Sequence, residues 1–243
     1  METDPKDGIA ILLANRHYLY ELLQHTFGNE PNSQLFDAVT SSHTRDTLSL
    51  WLDGDESDPA NYLSLLDEVK TNLAEDGEKT LKLLKREYTS LFIGPDKLPA
   101  PPWESVYRSK ERVLFQESTL KVRRAYMEYG FLPSNYPHEA DDHLAIELDF
   151  MVHLSKMTLD CFEEEKFDDA AKLISSQKEF LDEHLLTWIS DFAGDAQNSK
   201  TRFFYPQSAV LMEQILQVDR VVIEEVMDHL KTGAIIHSKE VVE

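Results

Sequence analysis

Residues 88–107 read Tyr-Thr-Ser-Leu-Phe-Ile-Gly-Pro-Asp-Lys-Leu-Pro-Ala-Pro-Pro-Trp-Glu-Ser-Val-Tyr, and four of the chain's ten prolines fall within them, at Pro95, Pro99, Pro101 and Pro102. Each proline fixes its own φ, lacks an N–H and biases the residue before it toward extended backbone, so no helix crosses this stretch. Gly94-Pro95 ends the helix that carries Leu91 and Phe92, because glycine takes the left-handed stop position and proline cannot continue the ladder. Pro102 suits the first position of a new short helix, on which Trp103, Val106 and Tyr107 follow at one-turn spacing. A stiff loop thus presents large rings between two helices. By spacing alone two readings stay open. One is an interhelical connection whose aromatics complete a core; the other is a preformed groove for a peptide, where rigid aromatic anchors lower the entropy of recognition. A Pro-x-x-Pro ligand built from Pro99 and Pro102 fits less well between apolar helices.

Helical spacing of apolar residues continues on both sides of the loop. Upstream it predicts a helix over about 7–27, short helices around Leu35–Val39 and Leu48–Leu52, one from Pro59 that breaks at Asp76-Gly77, and another from about Glu78 into the loop. Downstream it predicts a helix from Ser118-Thr119 to Gly130, then a long one from about Glu139 to Glu163. Others start near Asp168 and Leu185, and the last spans about 206–230 with a stop at Gly233. No stretch alternates with period two for long enough to propose a sheet. The expected fold is all-α: a single-domain helical bundle of about ten helices over residues 1–243, with room for a subdomain seam near 131–138 and a mobile tail over about 232–243.

With 45 acidic against 24 basic residues the formal charge is −21. Nucleic acid is excluded on that ground, since phosphate neutralisation needs clustered cations, and basic peptides are favoured. One cysteine, Cys161, allows no intramolecular disulfide and no cysteine-rich zinc site, which fits a reducing compartment. The N-terminus lacks the basic flank and apolar run of a secretory signal, and no stretch is long and apolar enough to span a bilayer. The expectation is a cytoplasmic protein with no membrane span.

The eight glycines are scattered, which excludes a Walker loop, a dinucleotide fingerprint and a Gly-x-Ser-x-Gly elbow. One constellation resembles a metal site: His138-Glu139-Ala140-Asp141-Asp142-His143, with Glu147 a turn further on. Two zincin histidines lie four apart on one helix face; five apart, His138 and His143 diverge by roughly 140°. A metal-dependent hydrolase using His138, Asp142, His143 and Glu147 is therefore the alternative from another class, set against helix-start carboxylates and an ion-paired histidine. Charge is also uneven. Residues 139–169 hold eleven acidic and two basic residues, and residues 108–124 hold six basic and two acidic. Each run reads first as a solvated face, although the acidic one would assist a cationic ligand docked at Asp142-His143.

The sequence resembles the TorD/DmsD/NarJ-type chaperones that mature exported molybdenum redox enzymes, and most closely their DmsD-like branch. The matching segments are Leu91-Phe92-x-Gly94-Pro95, the run from Leu98 to Tyr107, Leu114-Phe115-x-x-Ser118-Thr119-Leu120, Glu139-x-x-Asp142-His143 and Glu183-His184-Leu185-Leu186-x-Trp188. The resemblance implies an all-helical, non-catalytic cytoplasmic protein with no cofactor and no metal. It implies two partners, the twin-arginine signal peptide and the apo form of a molybdopterin oxidoreductase catalytic subunit, held until the cofactor is loaded, with the chaperone a monomer or a domain-swapped dimer. Peptide-binding positions carried over are Leu91, Phe92, Pro101, Pro102, Trp103, Asp142 and His143, with Tyr88 and Tyr107 at aromatic positions. Asp142 is then the expected partner of a leader arginine, oriented by His143. Three residues depart from the pattern: Ala140 replaces a proline, Gln116 a glycine and Asp96 an aromatic.

Overall fold

The computed structural model describes residues 5–52, 60–95, 97–133 and 139–240, with side chains from Lys6 to Leu230. The acidic turn at 53–58, Pro59, Asp96, His138 and most of the expected seam at 131–138 lie outside the described residues.

Among the described residues, apolar periodicity is answered by ten α-helices: α1 (Pro5–Gly28), α2 (Ser33–Val39), α3 (Ser42–Trp51), α4 (Ala60–Tyr88), α5 (Glu104–Arg108), α6 (Glu117–Glu128), α7 (Leu144–Glu163), α8 (Phe167–Glu183), α9 (Ile189–Gln197) and α10 (Tyr205–Glu240). No strand forms among the described residues, and the architecture is an all-α bundle. Local chemistry sets several boundaries. Asn32 and Ser41 cap α2 and α3 by accepting the N–H groups of Leu35 and Thr44, which satisfies donors that a helix start leaves free. The break expected at Asp76-Gly77 survives as a kink inside α4, where Asp76 leaves helical geometry and its carboxylate accepts from Lys79 N. A π-helical turn, Thr89–Ile93, follows α4 and stops at Gly94, whose φ of 103° suits glycine.

Three boundaries differ from the sequence reading. Trp103 is extended, so α5 begins at Glu104, two residues later than the proline suggested. The helix expected from about Glu139 starts at Leu144, because residues 142–144 pair with the proline loop instead. Finally, α10 passes Gly233 and runs to Glu240, covering most of the stretch expected to be a tail; a helical glycine costs about 1 kcal/mol relative to alanine, too little to stop so long a helix.

The core is built by α1 against α7, by α8 between α7 and α10, and by α9 against α10. Two buried polar arrangements lock it. Arg16 on α1 meets Asp219 on α10 through two hydrogen bonds of 2.6 and 2.9 Å, and Tyr20 donates to the same carboxylate at 2.6 Å. On α4, Glu87 is buried and accepts from the N–H groups of Phe203, Phe204 and Tyr205 at 2.8, 2.8 and 3.0 Å, so one carboxylate caps a helix far away in sequence. The proline loop is seated by α1. The Tyr88 hydroxyl donates to Phe27 O at 3.1 Å, and a Cβ at Gly28 would stand 2.9 Å from that of Ala145, so only glycine lets the end of α1 approach the first turn of α7 this closely.

Candidate functional site

The loop and the start of α7 meet backbone to backbone. Trp103 and His143 form an isolated antiparallel bridge in which Glu104 N donates to Asp142 O at 3.0 Å and Leu144 N to Pro102 O at 2.9 Å. Two segments that each begin a helix are thereby stitched side by side. Asp142 completes the junction from within. It is fully buried, and its Oδ2 accepts the N–H of Ser105 at 2.8 Å, satisfying one of the free donors of α5. Its Oδ1 has no hydrogen-bond partner among the described residues.

Half-buried aromatic rings stand at this junction and beside it. Trp103 is half-buried, stands edge-on to His143 with ring centroids 5.4 Å apart, and donates its Nε1–H to Glu139 at 2.9 Å. His143 accepts the Ala145 N–H on Nδ1 at 3.1 Å, which caps α7 and places the ring proton on Nε2. Burial holds its pKa below the usual value despite nearby Glu139 and Asp142, so the ring is neutral. Tyr107 stacks on Trp188 at 5.4 Å, and the guanidinium of Arg112 covers it at 4.9 Å while bonding Asp195. Burial raises the Tyr107 pKa, with Asp195 adding to the effect.

The nine carried-over positions fall into two layers. Pro101, Trp103, Tyr107 and His143 are half-buried and reachable, whereas Tyr88, Leu91, Phe92, Pro102 and Asp142 are buried. In the lower layer Phe92 stacks on Phe192 at 5.8 Å and meets Tyr88 edge-on at 5.4 Å. Burial pushes the Tyr88 pKa up to about 12. Buried aromatics of the core and half-buried aromatics at the Trp103–His143 junction are thus both present in this stretch.

At the same junction sits a cluster of acids that the sequence did not reveal. Glu104 is buried and shares a 2.9 Å contact with His184 Nδ1, while Glu147 is buried and accepts from Trp188 Nε1 at 3.3 Å. Glu147 Oε1 finds no donor, and its neighbours Glu104 and Asp142 are themselves acceptors. Burial, then Glu104 and Asp142, raise the Glu147 pKa well above the carboxylate range, so a proton held on Glu147 and shared with Glu104 meets both needs. The signal was in the sequence: Glu147 lies between Ile146, Leu148 and Met151, on the face of α7 that packs inward.

The metal alternative is not assembled here. His143 lies before α7 with Nδ1 occupied by a backbone N–H, and Glu147 turns to Trp188. Among the described residues no group of three histidine, cysteine or acidic side chains is arranged to hold a metal ion. His138 is outside them.

Among known proteins, this chain is similar to several named as chaperones. Chaperone protein TorD of Vibrio cholerae is 26% identical over 222 residues, covering 90% of this chain and 96% of the relative. The probable Tat proofreading chaperone DmsD of Haemophilus influenzae is 27% identical over 199 residues, covering 81% and 85%. A crystal structure from Archaeoglobus fulgidus, assigned to redox enzyme maturation, covers 83% of this chain and 93% of that one at 20% identity and a TM-score of 0.48. The nitrate reductase delta subunit family matches residues 55–194, more than half the chain, and the protein belongs to that family.

Proposed function

We propose that this protein is a system-specific chaperone that acts in the cytoplasm, without catalysing a reaction. It holds the twin-arginine signal peptide of an apo-molybdoenzyme in the groove over the Trp103–His143 bridge until cofactor loading is complete. The observation that carries the reading is the half-exposed indole of Trp103, fixed on one side by paired backbones and on the other by Glu139. A large ring with little freedom left to lose is what an apolar leader segment binds best. The names of the relatives support the same class.

The layers assign roles. Trp103, Tyr107 and Pro101 pack against the leader. The Nε2–H of neutral His143 donates to a leader carbonyl. Glu139 keeps one oxygen, Oε2, uncommitted after Trp103 Nε1 and Ala140 N take the other, and this carboxylate meets an arginine. Asp142 acts from inside as a positioning residue that fixes the start of α5, and Tyr88, Leu91, Phe92 and Pro102 form the floor.

Titrating a labelled leader against its twin in which both arginines are glutamine tests this. The paired-arginine form binds more tightly to wild type, and Glu139→Gln erases that preference while leaving the weaker binding. No binding by either leader overturns the proposal. Binding also survives exhaustive chelation; loss on chelation, restored by one metal, would instead favour the hydrolase alternative.

A further inference from the structure

A second surface, sharing none of the groove residues, has the opposite charge. A cleft of about 1100 Å³ opens between the end of α4, the proline loop and the α9–α10 connection, and it is lined by Lys82, Lys85, Arg86, Lys97, Lys200 and Arg202. These are six of the 24 basic residues of a chain whose net charge is −21. Among the described residues of the lining Glu87 is the one acid, and both of its oxygens are committed to the start of α10. Lys85 pairs with Glu30 at 2.8 Å on an exposed face; the other five cations form no ion pair among the described residues. In a strongly acidic protein, exposed cations grouped in one cleft form a local positive patch that attracts an anionic partner.

We infer that this cleft binds an acidic, extended polypeptide segment of a partner protein, independently of the leader groove. The form of the cleft favours a polypeptide over a phosphate compound. Phosphate sites use converging backbone N–H groups at a helix start, and here the N–H groups before α10 are taken by Glu87. What remains is a set of six long cationic side chains together with exposed Leu83, Pro95 and Pro99 and half-buried Phe203, which matches a chain that carries both carboxylates and apolar side chains. The sign reverses beyond Leu83 and Phe203, where a smaller pocket adds Glu68, Glu75 and Asp76, so the acidic segment is confined to the proline side of that pair.

The test uses the full chain, a labelled peptide of about a dozen residues alternating Asp or Glu with Leu or Phe, and tripolyphosphate as a competitor of similar charge. Wild type binds the peptide at low salt, and the double variants Lys82→Glu/Arg86→Glu and Lys200→Glu/Arg202→Glu each weaken it by about tenfold or more. All four side chains are exposed, so both variants keep the wild-type melting temperature, and both keep leader binding. Three outcomes overturn the inference: no peptide binding by folded wild type, affinity unchanged in both variants, or displacement by tripolyphosphate at concentrations as low as the peptide's own. Loss of leader binding in wild type leaves it standing, because that result concerns the other surface.

Discussion

The groove over Trp103 and the cleft beside Lys82 use the two ends of one proline-rich loop, yet they are built on opposite principles. At the Trp103 junction several polar groups are fixed before any ligand arrives: the backbones of 102–104 and 142–144 are paired, the indole N–H is held, and Asp142 is buried against Ser105 N. In the cleft, long cationic side chains stand in solvent, and the one carboxylate among its described lining residues is already occupied. Preorganised, desolvated contacts give affinity and selectivity, whereas exposed charges give attraction at a distance and weak geometric discrimination. One surface is suited to recognising a particular segment, the other to gathering any acidic one.

The contrast is sharpest toward pH. It centres on buried Glu147, whose pKa is raised by burial, and then by Glu104 and Asp142, well above the ordinary glutamate value of 4.5. Below 4.5 both folded and unfolded chains hold that proton. Above it the unfolded chain releases the proton and the folded chain does not, so stability falls with rising pH until the folded pKa is reached, by up to about 1.4 kcal/mol per pH unit. Glu147→Gln keeps a Trp188 acceptor and removes this loss. The variant therefore matches wild type near pH 4 and exceeds it increasingly toward neutrality in denaturant unfolding. His143, held down by burial, contributes in the other direction, with stability present above 6.5 and lost as pH falls below it; it is common to both proteins and cancels. Parallel curves for the two would mean that Glu147 is ionised beneath the groove.

That pair of carboxyls also marks where the sequence stopped being informative. Apolar spacing located the bundle, and the prolines located the loop, because both signals are local and repeat within a few residues. The start of α7 was placed too early because Glu139, Asp141 and Asp142 look like helix-start acids; their backbone is instead drawn into pairing with a segment some forty residues away in sequence. The acidic run was read as a solvated face, and three of its members, Asp141, Asp142 and Glu147, are buried. The basic run resolves partly into ion pairs, Arg112 with Asp195 and Arg123 with Asp141. Arg16 and Asp219 were legible, since each falls on the apolar face of its helix, beside Leu19 and Tyr20 in one case and Ile215 and Val222 in the other. The cleft was invisible, its cations coming from three separate segments of a chain whose total charge hides them.

Breaking the groove from beneath gives the next largest effect. Asp142→Ala strands the Ser105 N–H and costs about 2 kcal/mol, less whatever is regained by easing the repulsion on Glu147. Leader binding falls with it, equally for arginine and glutamine forms, while the acidic peptide still binds the cleft. Asp142→Asn keeps an acceptor for Ser105 and stays near wild-type stability. If Asp142→Asn instead weakens the arginine leader selectively, the carboxylate reaches the arginine after all, and its role as a positioning residue has to be abandoned.

Removing the anchor from above separates packing from folding. Trp103 is half-exposed, so Trp103→Ala shifts the melting temperature little but weakens leader binding by about tenfold, and Trp103→Phe retains most of it. A large loss of stability with the alanine change would place Trp103 in the core, since only buried large-to-small changes leave a costly cavity. The acidic peptide serves as the internal control, unchanged in both variants.

Salt produces the smallest effect on the groove and the clearest ranking of the two surfaces. Charges exposed to water are screened over about 8–10 Å at physiological ionic strength, and partly buried ones much less. A leader arginine at Glu139 is a single contact at the edge of a packed site, aided by the −21 charge of the whole chain, so raising salt from low to moderate concentration weakens the leader by about threefold. The cleft holds its ligand through several solvent-facing charges, and the same change weakens the acidic peptide considerably more. Titrating both peptides across one salt series reads the ratio directly. A leader affinity that stays flat would leave apolar packing as the whole of the groove's energy and remove Glu139 from the mechanism. Equal slopes for the two peptides would mean that the groove, like the cleft, works by exposed charge, and the division of labour drawn between them would fail.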